Sequence, residues 1–323
     1  MSTQMHPPVS VILPILNEER DLAECISAIL QQNYPAELEV ILALGPSTDR
    51  TDEIAKALAT KDSRIKLVAN PSGKTAVGLN LAIAAASHEI ICRIDGHAEI
   101  SNSYIKIAVE IMQETGAVNV GGLMHAEAKS GFPAVVARAM RSRIGVGASK
   151  FHTGGVAGES DTVYLGTFSK SAIVKVGGFN EKYIRAQDWE LNHRLRLNGG
   201  IIWFDPRLVV TYRPRDTFAK LAKQYFEYGR WRRAVTREHK GTVNYRYLAP
   251  PTALIINTLS VILGVAVNTI FFIPILIYLI SIIIAGLIVG KSIYEKISLA
   301  SVFITMHMAW GFGFLTSPRN LIK

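Results

Sequence analysis

Two short stretches hold side chains whose types and spacing could do chemistry. In EIICRIDGHAE, residues 89–99, an apolar run ends in Asp95-Gly96-His97. An acid and an imidazole two residues apart leave the same face of an extended chain, and the glycine between them lets another group approach the backbone. Such a pair suits a phosphate or a divalent cation, with mixed carboxylate and imidazole ligation favouring Mn²⁺ and all-oxygen ligation favouring Mg²⁺. An acid at a strand end also forms turns, and that reading stays open. In AQDWELNHRLRLNGG, residues 186–200, Asp188 heads a helical pattern carrying Trp189, Leu191 and Leu195 that stops at Gly199-Gly200. A first-turn Asp caps a helix, and the helix dipole is expected to keep it ionised. An ionised carboxylate facing a cleft is what a general base requires.

The elements that must position these residues alternate along the first half of the chain. Strands are expected over 9–15, 38–44, 64–70, 89–95 and 118–124. Leu22, Cys25, Ile26, Ile29 and Leu30 fall on one helical face. A second helix follows Ser47-Thr48-Asp49 and buries Ile54 and Leu58. A third starts near Lys74, and a fourth after Ser101 turns Ile105, Ala108 and Met112 to one side. Strand and helix in alternation predict an α/β protein with a mostly parallel sheet. Open sheets of this kind bind ligands beyond the carboxyl ends of their strands, where Asp95, Gly96 and His97 stand. Cys25 and Cys92 have no metal or redox spacing and read as buried thiols. PSGKT does not make a phosphate loop, because the glycine that motif needs is Val68 here.

The second half changes character. Between Arg213 and Arg246 ten Lys and Arg face three acids, with Phe218, Tyr225, Phe226, Tyr228 and Trp231 interleaved. Thr252–Gly290 then contains no charged residue. A basic amphipathic segment ahead of a membrane span reads as a helix on an anionic leaflet, and nucleic acid is not expected as a partner. Spans are expected at 252–269 and 271–290, and the segment 297–315 either crosses or re-enters. His307, at membrane depth, is expected to bond between helices. MSTQMHPPVSVILPI lacks the pattern of a signal peptide, so the first half is expected in the cytosol and the chain in the inner membrane as a multi-pass protein.

With these pieces placed, the chain resembles a family 2 inverting glycosyltransferase of GT-A fold, of the membrane-anchored kind found in exopolysaccharide assembly. VSVILPILNEERDLAECISAILQQ, GGFNE, QDWELNHRL and the terminal apolar spans carry the resemblance in order and spacing. It implies a Rossmann-like catalytic domain over 1–212, a basic interfacial segment over 213–250 and a transmembrane helical region over 251–323. It places Pro14, Asn17 and Glu18 beside the base and ribose of a nucleotide-sugar, and Lys74 near base and phosphates. It makes Asp95 and His97 ligands of a Mn²⁺ or Mg²⁺ ion on the diphosphate, and Asp188 the catalytic base. Asp161, Tyr164 and Gln187 fall on the acceptor side. So do Gln224, Arg230 and Trp231, at a spacing longer than the family's Gln-x-x-Arg-Trp element. Leu44 and Gly45 stand where the family has a pair of acids, one of which bonds uracil; Leu44 cannot accept that bond, although a UDP-sugar remains the favoured donor. The implied reaction moves a sugar onto a hydroxyl of a membrane-associated, polyprenyl-diphosphate-linked saccharide. Transfer to polyprenyl phosphate itself, or a scaffold without catalysis, are the alternatives.

Overall fold

The computed structural model describes residues 6–322. Along the chain the elements begin β1 (Val9–Ile15), α1 (Leu22–Leu30), β2 (Leu38–Leu44), α2 (Thr51–Lys61), β3 (Ile65–Ala69), α3 (Thr75–Ala85) and β4 (Ile90–Arg93). There follow β5 (Glu99–Ile100), α4 (Tyr104–Thr115), β6 (Asn119–Ala126), α5 (Gly131–Met140), α6 (Arg143–Val146), α7 (Lys150–Thr153), β7 (Gly158–Glu159) and β8 (Tyr164–Ser169). The last are α8 (Lys170–Lys175), α9 (Gln187–Leu197), β9 (Ile202–Tyr212), α10 (Phe218–Glu238), α11 (Tyr245–Ala266), α12 (Ile273–Val289) and α13 (Ile293–Thr316). They form two units: the chain up to His125 together with Gly154–Tyr212, and Ala126–Thr153 together with Arg213–Lys323.

In the first unit the strands are ordered β3-β2-β1-β4-β8-β6-β9-β5, with β7 against β9. The half made by β3, β2, β1 and β4 is parallel. Next to it β8 runs antiparallel to both β4 and β6. β1 and β2 are buried along nearly their whole length, as strands covered on both faces must be. Against them α1 sets Leu22, Cys25, Ile26 and Ile29. Both cysteines are buried, and burial pushes each thiol up to about 12. The strand expected over 89–95 stops at Arg93, so Asp95 and His97 sit in a turn closed by a hydrogen bond from Ala98 N to Asp95 O at 2.9 Å.

At the opposite, amino end of these strands Glu39 is buried in a polar knot. It accepts from Ser10 Oγ, from Ser87 N at 2.6 Å and from Lys66 Nζ at 2.6 Å, tying β1, β3 and the lead into β4 to β2. Burial raises the carboxyl, but these bonds overcome it and hold the pKa down at about 2. A depressed carboxylate stabilises the fold above its unfolded pKa of 4.5 and loses that contribution as pH falls toward 2. Glu39→Gln is therefore expected to flatten the decline in melting temperature between those pH values; an unchanged slope would show that Glu39 is not the titrating group.

The second unit is helical. α10 and α13 meet at their backbones: a Cβ on Gly229 would lie 2.0 Å from the Trp310 carbonyl oxygen, and one on Gly313 2.0 Å from that of Phe226. Small residues permit this approach. Ser317 Oγ donates to Arg230 O at 2.9 Å, and Arg237 Nη1 donates to Ser317 O at 2.9 Å and Pro318 O at 3.0 Å, so α10 holds the end of α13. Tyr245–Ala266, Thr269–Val289 and Ile293–Thr316 are long and apolar enough to cross a membrane. The break between the first two falls at a 3₁₀ turn, Thr269–Phe272, where Asn268 caps the chain. His307 lies 2.8 Å from Ile144 O and 3.2 Å from Tyr278 Oη, a bonder between elements as its position predicts.

Candidate active site

The site is built where β1, β2, β3 and β4 end. Beyond β1, Asn17 takes φ +56°, a left-handed conformation that Asn tolerates better than most residues. Its Oδ1 accepts from Thr48 N at 2.8 Å and its N–H donates to Ser47 Oγ at 3.1 Å. Glu18 N donates to Thr51 Oγ1 at 2.7 Å, so the loops after β1 and β2 are laced together. Asp49 belongs to this lacing: it accepts from Thr51 N at 3.0 Å, just ahead of α2, and from Glu19 N at 3.3 Å. Leu44 closes β2 opposite Ile15, and Pro14 pairs with Ala43. A Cβ on Gly45 would stand 3.2 Å from Gly73 Cα, so this glycine brings the turn after β3 against the one after β2. Lys74 follows that turn, its side chain exposed at the start of α3.

At the end of β4 stands a residue that composition and spacing had not singled out. Arg93 is 4% exposed and bridges two acids. Its Nε and Nη2 donate to Asp95 Oδ1 at 3.2 and 3.0 Å, and its Nη1 donates to Asp188 Oδ1. Burial alone would push the guanidinium down, but the two carboxylates more than offset it and raise its pKa. Asp95 and Asp188, 93 positions apart, are thus clamped on one buried cation. Each keeps its Oδ2 without a hydrogen bond among the described residues. A charge inside the apolar run Ile90-Ile91-Cys92-Arg93-Ile94 was the available signal, since a buried Arg demands a partner.

His97 points back to β1. Its Nδ1 lies 2.8 Å from Glu18 Oε1, and this bond raises the imidazole against the burial that would lower it. Gly96 makes the contact possible: a Cβ there would meet Ile15 Cδ1 at 2.8 Å and Glu18 Cγ at 3.0 Å. The group that the glycine admits is therefore the Glu18 side chain.

Asp188 is delivered by α9, whose N-cap, Ala186, takes φ +62°. Asn192, one turn on, accepts from Asn119 Nδ2 at 2.6 Å and donates to Thr162 Oγ1 at 3.0 Å, anchoring the helix to β6 and to the loop before β8. Arg194 grips Glu190 with two bonds, 2.7 and 2.6 Å, and donates to the carbonyls of Val176 and Gly178. Burial raises the Asp188 carboxyl and Arg93 pulls it back, with Asp95 adding to the rise. The net direction is upward. Such a carboxylate is a better proton acceptor than an ordinary Asp.

The expected metal ligands can be tested on their donor atoms. No group of three His, Cys, Asp or Glu side chains among the described residues converges on one point, so the protein alone does not close a metal cage. Asp95 Oδ2 and His97 Nε2 are open, and Glu18 on Nδ1 supplies the carboxylate support that metal-bound imidazoles use. This set fits a cation shared with a ligand's phosphates.

Of the residues expected on the acceptor side, Tyr164 of β8 interacts electrostatically with Arg93, and the next residue, Leu165, has φ +39°. Gln187 precedes Asp188 on α9, and Asp161 lies in the loop that Thr162 anchors. Gln224, Arg230 and Trp231 belong to the second unit: Gln224 donates to Tyr228 Oη at 2.8 Å, Arg230 pairs with Glu227, and Trp231 is buried.

The family model for glycosyl transferase family 2 matches residues 10–161, the stretch holding Asn17, Arg93, Asp95 and His97. A succinoglycan biosynthesis protein of Rhizobium meliloti is 32% identical over 242 residues, 74% of this chain and 73% of that one. The chain belongs to glycosyltransferase family 2. A Methanococcus voltae relative, named a dolichyl N-acetyl-alpha-D-glucosaminyl phosphate glucuronosyltransferase of the 3-beta-D-2,3-diacetamido-2,3-dideoxy-beta-D type, is 28% identical over 75% of this chain and 77% of its own. A mannosyltransferase of Pyrobaculum calidifontis, solved with GDP-Man and Mn²⁺, superposes with TM-score 0.65 at 19% identity over 94% of this chain and 86% of its own. It establishes the GT-A fold, followed here by three long apolar helices that mark membrane association.

Proposed function

We propose that this family 2 glycosyltransferase transfers a sugar, with inversion, from a nucleotide donor to a hydroxyl of a lipid-linked saccharide at the cytosolic face of the inner membrane. The observation that carries the reading is the Arg93 clamp, which leaves one carboxylate oxygen free on Asp188 and one on Asp95. The rigid lacing of Asn17, Glu18 and Asp49 with the β2 loop supports a nucleotide platform there. With Leu44 in place of an acid, main-chain groups would read the base.

In this mechanism Arg93 holds Asp188 by Oδ1 and turns Oδ2 toward the acceptor. As the hydroxyl attacks the anomeric carbon, Asp188 takes its proton. Glu18 fixes the His97 tautomer with the proton on Nδ1, leaving Nε2 to coordinate. A divalent cation held by Asp95, His97 and the diphosphate would neutralise charge on the leaving group. The relatives named for lipid-linked and exopolysaccharide synthesis favour such an acceptor over a soluble one.

The test is thermal stabilisation of the purified full chain by UDP, GDP, ADP and TDP, each with Mn²⁺, with Mg²⁺ or with chelator. One nucleotide at 100 times its Kd should add about 2.7 kcal/mol, and only with metal. The same nucleotide-sugar should then be consumed by inside-out membrane vesicles and not by intact cells. A chain indifferent to every nucleotide and metal would overturn the reading.

A further inference from the structure

Within the second unit a cavity of about 230 Å³ opens between α10, α11 and α13, lined by Arg233, Leu248, Pro251, Thr252, Ile255 and Phe314. Its walls are apolar apart from one threonine and one cation. The Arg233 guanidinium stands 5.0 Å over the Phe314 ring and makes no ion pair among the described residues. Of the acids on α10, Glu227 is engaged by Arg230. What lies close to Arg233 is more positive charge: Arg237 is pushed down by burial, then by Arg233 and Arg319. The cavity thus carries one cation, with further positive charge beside it, and no carboxylate in its lining.

The apolar walls say what an anion meeting that cation would be attached to. α11 continues from the cavity as a candidate span whose Ile255, Ile256, Leu259 and Ile262 are exposed. A free phosphate would gain nothing from Leu248, Pro251 and Ile255, and an uncharged lipid nothing from Arg233. Drug-sized ligand pockets run from about 300 Å³ upward, so this one admits a single phosphate and the head of one chain rather than two acyl chains side by side. We propose that this cavity holds the phosphate end of a single-chain, isoprenoid-type lipid, the carrier of the acceptor, with the chain leaving along α11. The assignment rests on the transferase reading above for the identity of that lipid.

The probes are farnesyl phosphate, farnesol, inorganic phosphate and a short-chain phosphatidylglycerol, tested for thermal stabilisation of the detergent-purified full chain. Farnesyl phosphate is expected to stabilise at concentrations where the other three do not. Arg233→Gln should weaken its apparent Kd at least tenfold while the nucleotide-dependent shift stays unchanged, which also shows that the variant is folded. Arg233→Lys should recover part of the affinity, because a point charge still meets a phosphate but loses the planar fork. Equal stabilisation by phosphatidylglycerol would mark a bulk-lipid site, by farnesol an apolar groove, and by inorganic phosphate a simple anion site. Each of those results, or no response to farnesyl phosphate, overturns the proposal. Loss of the nucleotide response alone would instead count against the transferase reading.

Discussion

Asp188→Asn is expected to bind donor nucleotide with unchanged affinity and to transfer sugar about 10²- to 10⁴-fold more slowly, the usual cost of removing a general base. The amide keeps the size of the carboxylate and can still accept from Arg93, so the fold and the donor platform at β1 and β2 stay as they are. What disappears is the capacity of the free oxygen to take a proton. The wild-type pH profile should show the same group: activity falls as pH drops through a pKa above the ordinary Asp value, because burial has raised this carboxyl and only the ionised form is a base. Stopped-assay rates at saturating donor, with Kd measured separately, distinguish lost chemistry from lost binding. Transfer by the Asn variant within a few-fold of wild type would remove Asp188 from the mechanism.

Much of the frame was legible because it depends on short-range pattern. β1 and β2 occupy 9–15 and 38–44 as expected, since runs of Val, Ile and Leu bounded by turn residues have few other ways to be buried. The face of α1 was equally plain from its spacing. The antiparallel insertion of β8 between β4 and β6 was not, because a strand's alternation is the same in either direction. Asp95, His97 and Asp188 stood out as acids and imidazole at the ends of elements. Their partners did not: His97 meets Glu18 across 79 positions and Arg93 meets Asp188 across 95, and nothing local encodes either pairing. Arg93 could have been suspected from its setting alone, a cation among Ile90, Ile91, Cys92 and Ile94 two residues before Asp95. Its parity puts it on the face of the strand that leads to the site.

That buried cation sets the second large effect. Arg93→Met leaves two carboxylates close together without a counter-charge, and breaking a buried pair by removing one partner costs about 3–5 kcal/mol. For a unit of this size about 1 kcal/mol moves the melting temperature by about 2–4 °C, so a fall of roughly 6–20 °C is expected. Arg93→Lys should fall in between, because one ammonium cannot reproduce the fork that reaches Asp95 with two nitrogens and Asp188 with a third. The diagnostic measurement is the double variant. Once Arg93 is gone, the Asp188 charge is a liability, so Asp188→Asn should raise the melting temperature of Arg93→Met although it does not raise that of wild type. A reversal of sign between the two backgrounds is what a clamp predicts, and simple addition is what independent sites predict. Additive shifts would mean that Arg93 merely fills space at the end of β4, and the argument that this cation holds the base in place would go with it.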